Sequence, residues 1–288
     1  MTKSKKLRIA VTGATGFIGQ HTRNLLNEKG VKLYGISRKN FSNYKSESKI
    51  ISPSTSIDEI SSKIKNCHAL IHLIGTGRKS GDSTYKKINY NLTKKIIEIC
   101  KKSGIKKIVY ISGLGASNST ISLYFISKYN AEQEIINSGL DYTILRPSYI
   151  IGKNDPLTLN LSNQIKKGKI IIPGDGNYIF QPISVNDVSK IIYQSIISKK
   201  FSNKIIELVG PQKVSFKEFV NYFKGNQNIR IKNIKLEDAY RDALDNPNSP
   251  YGIDDLNIMI GSFTGNHTRL KKLSGLKFKN VLKSSSLS

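Results

Sequence analysis

Three glycines, Gly13, Gly16 and Gly19, recur at three-residue intervals in the stretch Leu7-Arg8-Ile9-Ala10-Val11-Thr12-Gly13-Ala14-Thr15-Gly16-Phe17-Ile18-Gly19. Their spacing suits one task, holding a pyrophosphate against a helix end. The apolar run before them reads as a buried parallel strand. A helical pattern follows at once, through Leu25 and Leu26 to Gly30. Strand, glycine turn and helix in this order open a dinucleotide-binding βαβ unit. Gly13 permits the tight turn, Gly16 lets the backbone approach the pyrophosphate, and Gly19 lets the helix pack on the strand. The anion then rests on unpaired N–H groups at the helix start, bordered by Thr15, Phe17 and Ile18.

The second strand ends Gly35-Ile36-Ser37-Arg38-Lys39. A carboxylate at this point would bind both ribose hydroxyls of NAD, and none is present. Arg38, with Ser37 or Lys39, suits the 2′-phosphate of NADP instead. The expectation is NADP(H) over NAD(H); the competing reading leaves Arg38 on a generally basic surface. Gly75 and Thr76, with Arg78, follow the fourth strand and should border the cofactor.

The elements needed to position these residues alternate along the first two thirds of the chain. Strands are expected near 7–12, 31–37, 49–52, 68–74, 105–112 and 142–145. Helices are expected near 17–29, 57–64, 83–102 and 123–137. This alternation predicts an α/β protein with a doubly wound parallel sheet. After Gly152 come a helix at 157–167, a strand at 169–172, a helix at 186–199 and a sheet strand at 205–209. Short helices and a strand near 229–234 follow. The expected division is a nucleotide-binding core, 1–150, and a mixed region, 151–288, that completes the sheet and forms a small cap. Lys283 to Ser288 should fray.

The 288 residues carry a net charge of +26, with 46 Lys and Arg against 20 Asp and Glu. Such a balance invites a nucleic-acid partner. The lysines, however, are scattered pairs on expected outer faces, and arginine, the usual reader of bases and phosphates, is scarce. This weighs against nucleic acid. No apolar run reaches the ~18 to 20 residues of a membrane span, so the chain is expected to be cytoplasmic. Peripheral membrane or complex association stays open, as does the oligomeric state. Cys67 and Cys100 are expected as buried free thiols, and neither they nor the four histidines show metal-ligand spacing.

Further motifs give the chain a family likeness. Ile88-Asn89-Tyr90-Asn91-Leu92-Thr93, Ile108-Val109-Tyr110-Ile111-Ser112-Gly113-Leu114-Gly115-Ala116 and Tyr124-Phe125-Ile126-Ser127-Lys128 follow the glycine turn in order. Thr143-Ile144-Leu145-Arg146-Pro147-Ser148 and Gln181-Pro182-Ile183-Ser184-Val185-Asn186-Asp187-Val188 come after them. Together they resemble the short-chain dehydrogenase/reductase superfamily, in its extended and atypical branches. These branches include nucleotide-sugar epimerase/dehydratase relatives and the dehydrogenase-like accessory subunit of respiratory complex I. The likeness is clear over 7–210. It implies a Rossmann-type core, with Tyr124, Lys128 and Asn89 at the catalytic site, Ser112 facing the cofactor, and Pro147 beside it.

Tyr124 and Lys128 share one helix face at i and i+4. A free tyrosine has a pKa of about 10, and a nearby ammonium and an oxidised nicotinamide would both lower it. Tyr124 could then exchange a proton with a substrate hydroxyl or carbonyl, while Lys128 binds the nicotinamide ribose. The likeness departs at the family's polarising serine, where this chain has Leu114. Ser117, Ser119 and Thr120 would replace it only if their loop folds back. Tyr149, Lys153, Asn154, Phe180 and Gln181 are expected around a small-molecule substrate. Two functions follow: an NAD(P)-dependent oxidoreductase or epimerase/dehydratase-like enzyme acting on a small carbonyl, alcohol or nucleotide sugar, or a non-catalytic NADPH-binding assembly, structural or redox-sensing protein.

Overall fold

The computed structural model describes residues 6–76, 84–246 and 248–282. β1 (Arg8–Thr12) leads into α1 (Phe17–Glu28), followed by β2 (Lys32–Ser37), β3 (Glu47–Ile51), α2 (Ile57–Lys63) and β4 (Ala69–His72). A π-helical segment, Lys86–Asn91, runs directly into α3 (Leu92–Ser103). β5 (Lys107–Ile111), α4 (Leu123–Ile136) and β6 (Asp141–Pro147) complete the first half. Then come β7 (Tyr149–Ile151), α5 (Pro156–Lys166), β8 (Lys169–Pro173), β9 (Ile179–Phe180), β10 (Pro182–Ser184) and α6 (Val185–Ile197). The chain ends with β11 (Lys204–Leu208), β12 (Val214–Ser215), α7 (Phe216–Lys224), β13 (Arg230–Ile234), α8 (Leu236–Asp245), α9 (Ile253–Met259) and α10 (His267–Ser274).

Seven strands form the main sheet in the order β11-β6-β5-β4-β1-β2-β3, all pairing in parallel. The order reverses at β1, between β2 and β4, and such a switch point opens a crevice at the strand C-terminal ends. The central strands read as unbroken apolar runs because both faces are covered. Ile9, Val11, Leu33, Ile71 and Val109 pack with Leu26 of α1 and Val188, Ile191 and Ile192 of α6. Their alternates Ala10, Ile36, Leu70, Ile108 and Tyr110 pack with α3 residues Ile96, Ile97 and Cys100 and α4 residues Ala131 and Ile135. Each such side chain contributes roughly 1.5–3 kcal/mol by leaving water.

The structure keeps the expected α/β alternation and adds the short strands β7, β9, β10 and β12, which were not expected. The helix expected over 83–102 begins as a π-helix, and residue 83 lies outside the described residues, as do Arg78 and 283–288. A second core gathers Leu161, Ile170, Ile172, Phe216, Phe219, Val220 and Leu256 around β8, α5 and α7. The chain end leaves this core: Leu270, Leu273 and Leu276 pack back against the main sheet. Between the two, Phe263 bridges to Phe180 and lies over Phe125 at 5.1 Å between ring centroids.

A buried ion pair ties β3 to α1. Arg23 donates from Nε to Glu47 Oε1 at 2.7 Å and from Nη2 to Oε2 at 2.5 Å. Its remaining donors reach Ala14 O at 3.1 Å and Ser42 O at 2.9 Å, and its guanidinium lies 4.6 Å from the Phe41 ring centre. One side chain thus anchors both the glycine turn and the loop that follows Arg38. Removing one partner strands a buried charge, so Arg23→Met should cost ~3–5 kcal/mol. The double variant Arg23→Met/Glu47→Met should recover much of that loss. Urea denaturation of the three proteins checks this; an equal or larger loss in the double variant would reject it.

Candidate functional site

The glycine turn occupies the mouth of the β1 switch point. Gly13 has φ +69°, in the left-handed region, and a Cβ there would press on the Leu73 backbone at 3.0 Å. A Cβ on Gly19 would collide with the Gly13 carbonyl oxygen. Gly16 differs. Its backbone is ordinary extended, it caps α1 with no side-chain hydrogen bond, and a Cβ would meet only Gly13 O, at 3.3 Å. Gly16 therefore keeps open the space in front of the first-turn N–H groups, and no acidic side chain occupies that turn. The cradle has the form and polarity that a pyrophosphate requires. Thr15 turns its carbonyl to Gln20, and the Phe17 ring packs edge-on against His21. Phe17 and Ile18 thus have only their backbones to offer a phosphate, whereas exposed Thr15 also carries a hydroxyl donor.

Arg38 stands exposed just past β2, and no partner engages it among the described residues. The local carboxylate, Glu47, is consumed by Arg23. A cation with no competing anion among the described residues leaves this end of β2 electropositive.

Asn89, in the π-helical segment, forms a two-point clamp on the peptide of Thr76. Thr76 N donates to Asn89 Oδ1 at 2.9 Å and Asn89 Nδ2 donates to Thr76 O at 3.1 Å. Nδ2 also reaches Ser127 Oγ at 3.0 Å. Beside the clamp, buried Lys128 donates from Nζ to Ile111 O at 3.0 Å and lies 5.0 Å from the Tyr110 ring centre. Gly75 makes this arrangement fit, since a Cβ there would meet Lys128 Nζ at 2.8 Å and Asn89 Oδ1 at 3.3 Å. Burial pushes the Lys128 ammonium down to about 8, with Glu132 pulling the other way. Beneath lies His72, which no spacing rule singled out. It contacts Thr12 Oγ1 at 2.8 Å and Thr93 Oγ1 at 3.1 Å, and Thr93 donates to Asn89 O at 2.6 Å. Burial, then the Lys128 charge, pushes His72 down to about 3, so it stays neutral.

Tyr124 sits half-buried at the start of α4, 3.7 Å from where a Gly113 Cβ would stand. Its ring meets Tyr85 at 5.8 Å and Phe125 at 5.0 Å. Burial pushes its phenol up to about 12. The ammonium contributes no lowering here: Lys128 has turned it to Ile111 O, and desolvation acts on the phenol. Ser112 follows β5 directly, its Oγ buried and without a partner among the described residues. An orphaned hydroxyl at the strand end, next to Lys128's anchor, has hydrogen-bonding capacity for a cofactor. Leu114 N donates to Pro147 O at 3.0 Å, which fixes the loop between the two strands. Ser117 and Ser119 pair with each other at 2.8 Å, and Thr120 accepts from Ser122 N. None of the three is thereby drawn toward Tyr124 as a replacement for the missing serine.

The expected substrate ring divides. Tyr149 and Phe180 meet edge-on at 6.1 Å. Gln181 is buried and committed: Nε2 to Gly210 O at 2.7 Å, Oε1 to Gly265 N at 3.0 Å, and its N–H to Ser148 Oγ at 2.9 Å. It braces the structure and has no amide group free for a substrate. Lys153 and Asn154 form a turn in which Asn154 takes φ +71°. Residues the sequence did not expose come from afar: Phe263 covers Gly115 and Phe125, and Asp254 of α9 hydrogen-bonds Tyr85. Among the described residues no cluster of three His, Cys, Asp or Glu side chains could hold a metal, and no helix is long and apolar enough to cross a membrane.

Switch point, glycine cradle and doubly wound sheet define a Rossmann-type dinucleotide-binding protein. The chain belongs to the NAD(P)H-binding family, which it matches over residues 13–197. It is 31% identical over 157 residues to NADH dehydrogenase [ubiquinone] 1 alpha subcomplex subunit 9, mitochondrial, of Arabidopsis thaliana; the match covers 54% of this chain but only 39% of that protein. An uncharacterized sugar epimerase of Bacillus subtilis is 24% identical, covering 70% of this chain and 94% of its own. In fold, the chain is similar to a nucleoside-diphosphate-sugar epimerase from Staphylococcus aureus, at TM-score 0.79 and 18% identity, covering 98% and 100% of the two chains. UDP-glucuronic acid 4-epimerase from Bacillus cereus, in complex with UDP-glucuronic acid and NAD, gives TM-score 0.74 at 16% identity over 98% and 96%.

The two glycines should separate in experiment. Gly19→Ala forces the turn to shift and should cost ~1–3 kcal/mol of stability. Gly16→Val fits the backbone and should leave stability nearly unchanged while abolishing dinucleotide binding. Thermal melting and calorimetric titration with NADPH check both. Undiminished affinity in Gly16→Val would remove the pyrophosphate from this turn.

Proposed function

We propose that this protein is an NADPH-dependent reductase of a small carbonyl compound, within the wider oxidoreductase and epimerase/dehydratase-like group. The observation that carries the reading is the half-buried Tyr124 phenol at the start of α4, one helical turn before the buried Lys128, with burial raising its pKa. Bound NADPH would supply a hydride to the carbonyl carbon. Tyr124 Oη would give its proton to the carbonyl oxygen, completing the alcohol. A phenol held up to about 12 suits donation better than abstraction. Lys128 would hold the nicotinamide ribose, and Ser112 Oγ would find its missing partner on the cofactor. Arg38 would take the 2′-phosphate.

A specific observation favours a second reading. Leu114 stands where a hydroxyl would polarise the carbonyl, and leucine donates no hydrogen bond. On this reading the protein binds NADPH without turnover, as an assembly, structural or redox-sensing component. The cytoplasmic setting expected from the sequence is retained as part of either proposal.

A charge-assisted phosphate contact contributes roughly 1.5–3 kcal/mol. NADPH should therefore bind about tenfold or more tighter than NADH, and Arg38→Asp should reverse the order in calorimetry. Equal affinities in the unaltered protein would reject the assignment.

Tyr124→Phe removes the proton donor but keeps the ring. Turnover, followed as loss of NADPH absorbance across a panel of aldehydes and ketones, should fall by about 10² to 10⁴ with cofactor affinity unchanged. Full activity in Tyr124→Phe would refute the mechanism. NADPH binding with no carbonyl substrate consumed would favour the second reading.

A further inference from the structure

β11 and α10 enclose a cavity of about 430 Å³ at the outer edge of the sheet. Strands β6, β5 and β4 separate it from β1 and the glycine turn. Its size is that of a small-molecule site, for which ~300–1,000 Å³ is usual. Ile205, Ile206, Leu270 and Leu273 give it an apolar floor. Lys200, Lys204, Arg269 and Lys272 stand at its exposed rim, and none of their side chains is paired among the described residues.

Two further features make it more than a basic patch. Arg146 at the back is rigidly held. Its Nε donates to Glu132 Oε1 at 2.8 Å and its Nη2 to Oε2 of the same buried carboxylate. A guanidinium has five N–H donors, so its other edge keeps donors to spare. The strand edge adds another. In a parallel ladder one residue's N–H and C=O point to the same side. Leu208 O accepts from Ser148 N at 3.1 Å, toward β6. Ile206 therefore turns inward, and Ile205 turns its peptide outward, as does Val209, whose carbonyl contacts His267 Nδ1 at 2.9 Å. Glu207, the carboxylate lining the cavity, already accepts from Asn266 N at 2.9 Å. A chain with 46 Lys and Arg exposes cations everywhere. General basicity does not account for their ringing a concave apolar surface with a fixed arginine behind it.

We propose that this cavity binds a phosphate monoester carried on an apolar body, at a second site separate from the dinucleotide. The phosphate would lie among Arg146, Lys204 and Arg269, and the apolar body on Ile205 and Leu273. Burying the apolar part contributes roughly 25 cal/mol per Å², and the phosphate gains charge-assisted hydrogen bonds.

The test is calorimetric titration of the full chain with hexyl phosphate, inorganic phosphate and hexanol at fixed ionic strength, with and without NADPH. Hexyl phosphate should bind about tenfold or more tighter than either fragment, without competing with NADPH. Lys204→Glu/Arg269→Glu alters exposed side chains and should weaken hexyl phosphate about tenfold or more, leaving the melting temperature and NADPH affinity unchanged. Equal affinity for inorganic phosphate, equal binding by the variant, or displacement by NADPH would each overturn the proposal. Co-sedimentation with phosphatidic acid vesicles, lost in the same variant, would support it with a lipid headgroup as the source. Binding of hexyl phosphate without vesicle binding would support it with a soluble source.

Discussion

The carbonyl oxygen of Gly13 lies where any side chain on Gly19 would have to go. That close approach brings the first turn of α1 against the end of β1 and aims its free N–H groups into the switch-point crevice. The turn is then held from two sides. One α-helical turn beyond Gly19, Arg23 ties Ala14 to Glu47 and to the Ser42 loop. One residue before Gly13, Thr12 contacts His72, and through Thr93 the chain of contacts ends at the Asn89 backbone. The cradle and the Lys128–Asn89 platform are thus parts of one buried polar network. Nearly every donor in it is satisfied, which is what makes such a network rigid instead of costly.

That rigidity explains why the exceptions stand out. Buried polar groups are normally paired, yet among the described residues Ser112 Oγ lacks a partner. Tyr110 faces the α3–α4 layer, with its ring serving as the seat for Lys128. Ser112 lies one residue beyond Ile111, whose carbonyl anchors that same lysine. The unpartnered Ser112 hydroxyl therefore lies beside the anchor of Lys128, while Arg38 stands exposed past β2.

Much of the fold was legible because hydrophobic patterning is local. The buried runs at 7–12 and 105–112, the glycine triplet and the i, i+4 spacing of Tyr124 and Lys128 all lie within a few residues. The π-helix at Lys86–Asn91 escaped detection, since one wider turn barely changes the apolar rhythm of a six-residue segment. Arg23 and Glu47 are joined across two elements, and nothing in either neighbourhood announces the pair. Gln181 was expected in a binding role. Its partners Gly210 and Gly265 come from distant loops, so its bracing function was hidden in the sequence. The direction of the Lys128 side chain was hidden for the same reason: spacing fixes which face a residue occupies, but the nearest good acceptor decides where its charge goes.

That choice of acceptor governs what Tyr124 can do. An ammonium spent on a backbone carbonyl does less to stabilise tyrosinate than one facing the phenol. With burial raising its pKa, the phenol is mostly protonated at neutral pH. Oxidation of an alcohol would need the rare phenolate, whereas reduction of a carbonyl needs the abundant acid. The absent hydroxyl at Leu114 weighs against turnover of an unactivated carbonyl. A polarising donor helps when the carbonyl is unreactive, so the reductive reading fits carbonyls that are already electrophilic. The basic exterior, by contrast, carries little information about chemistry at this centre. Lys128 is drawn inside beside the Asn89 clamp and the Gly75 gap, and its burial sets the electrostatics that any ligand at this centre must meet.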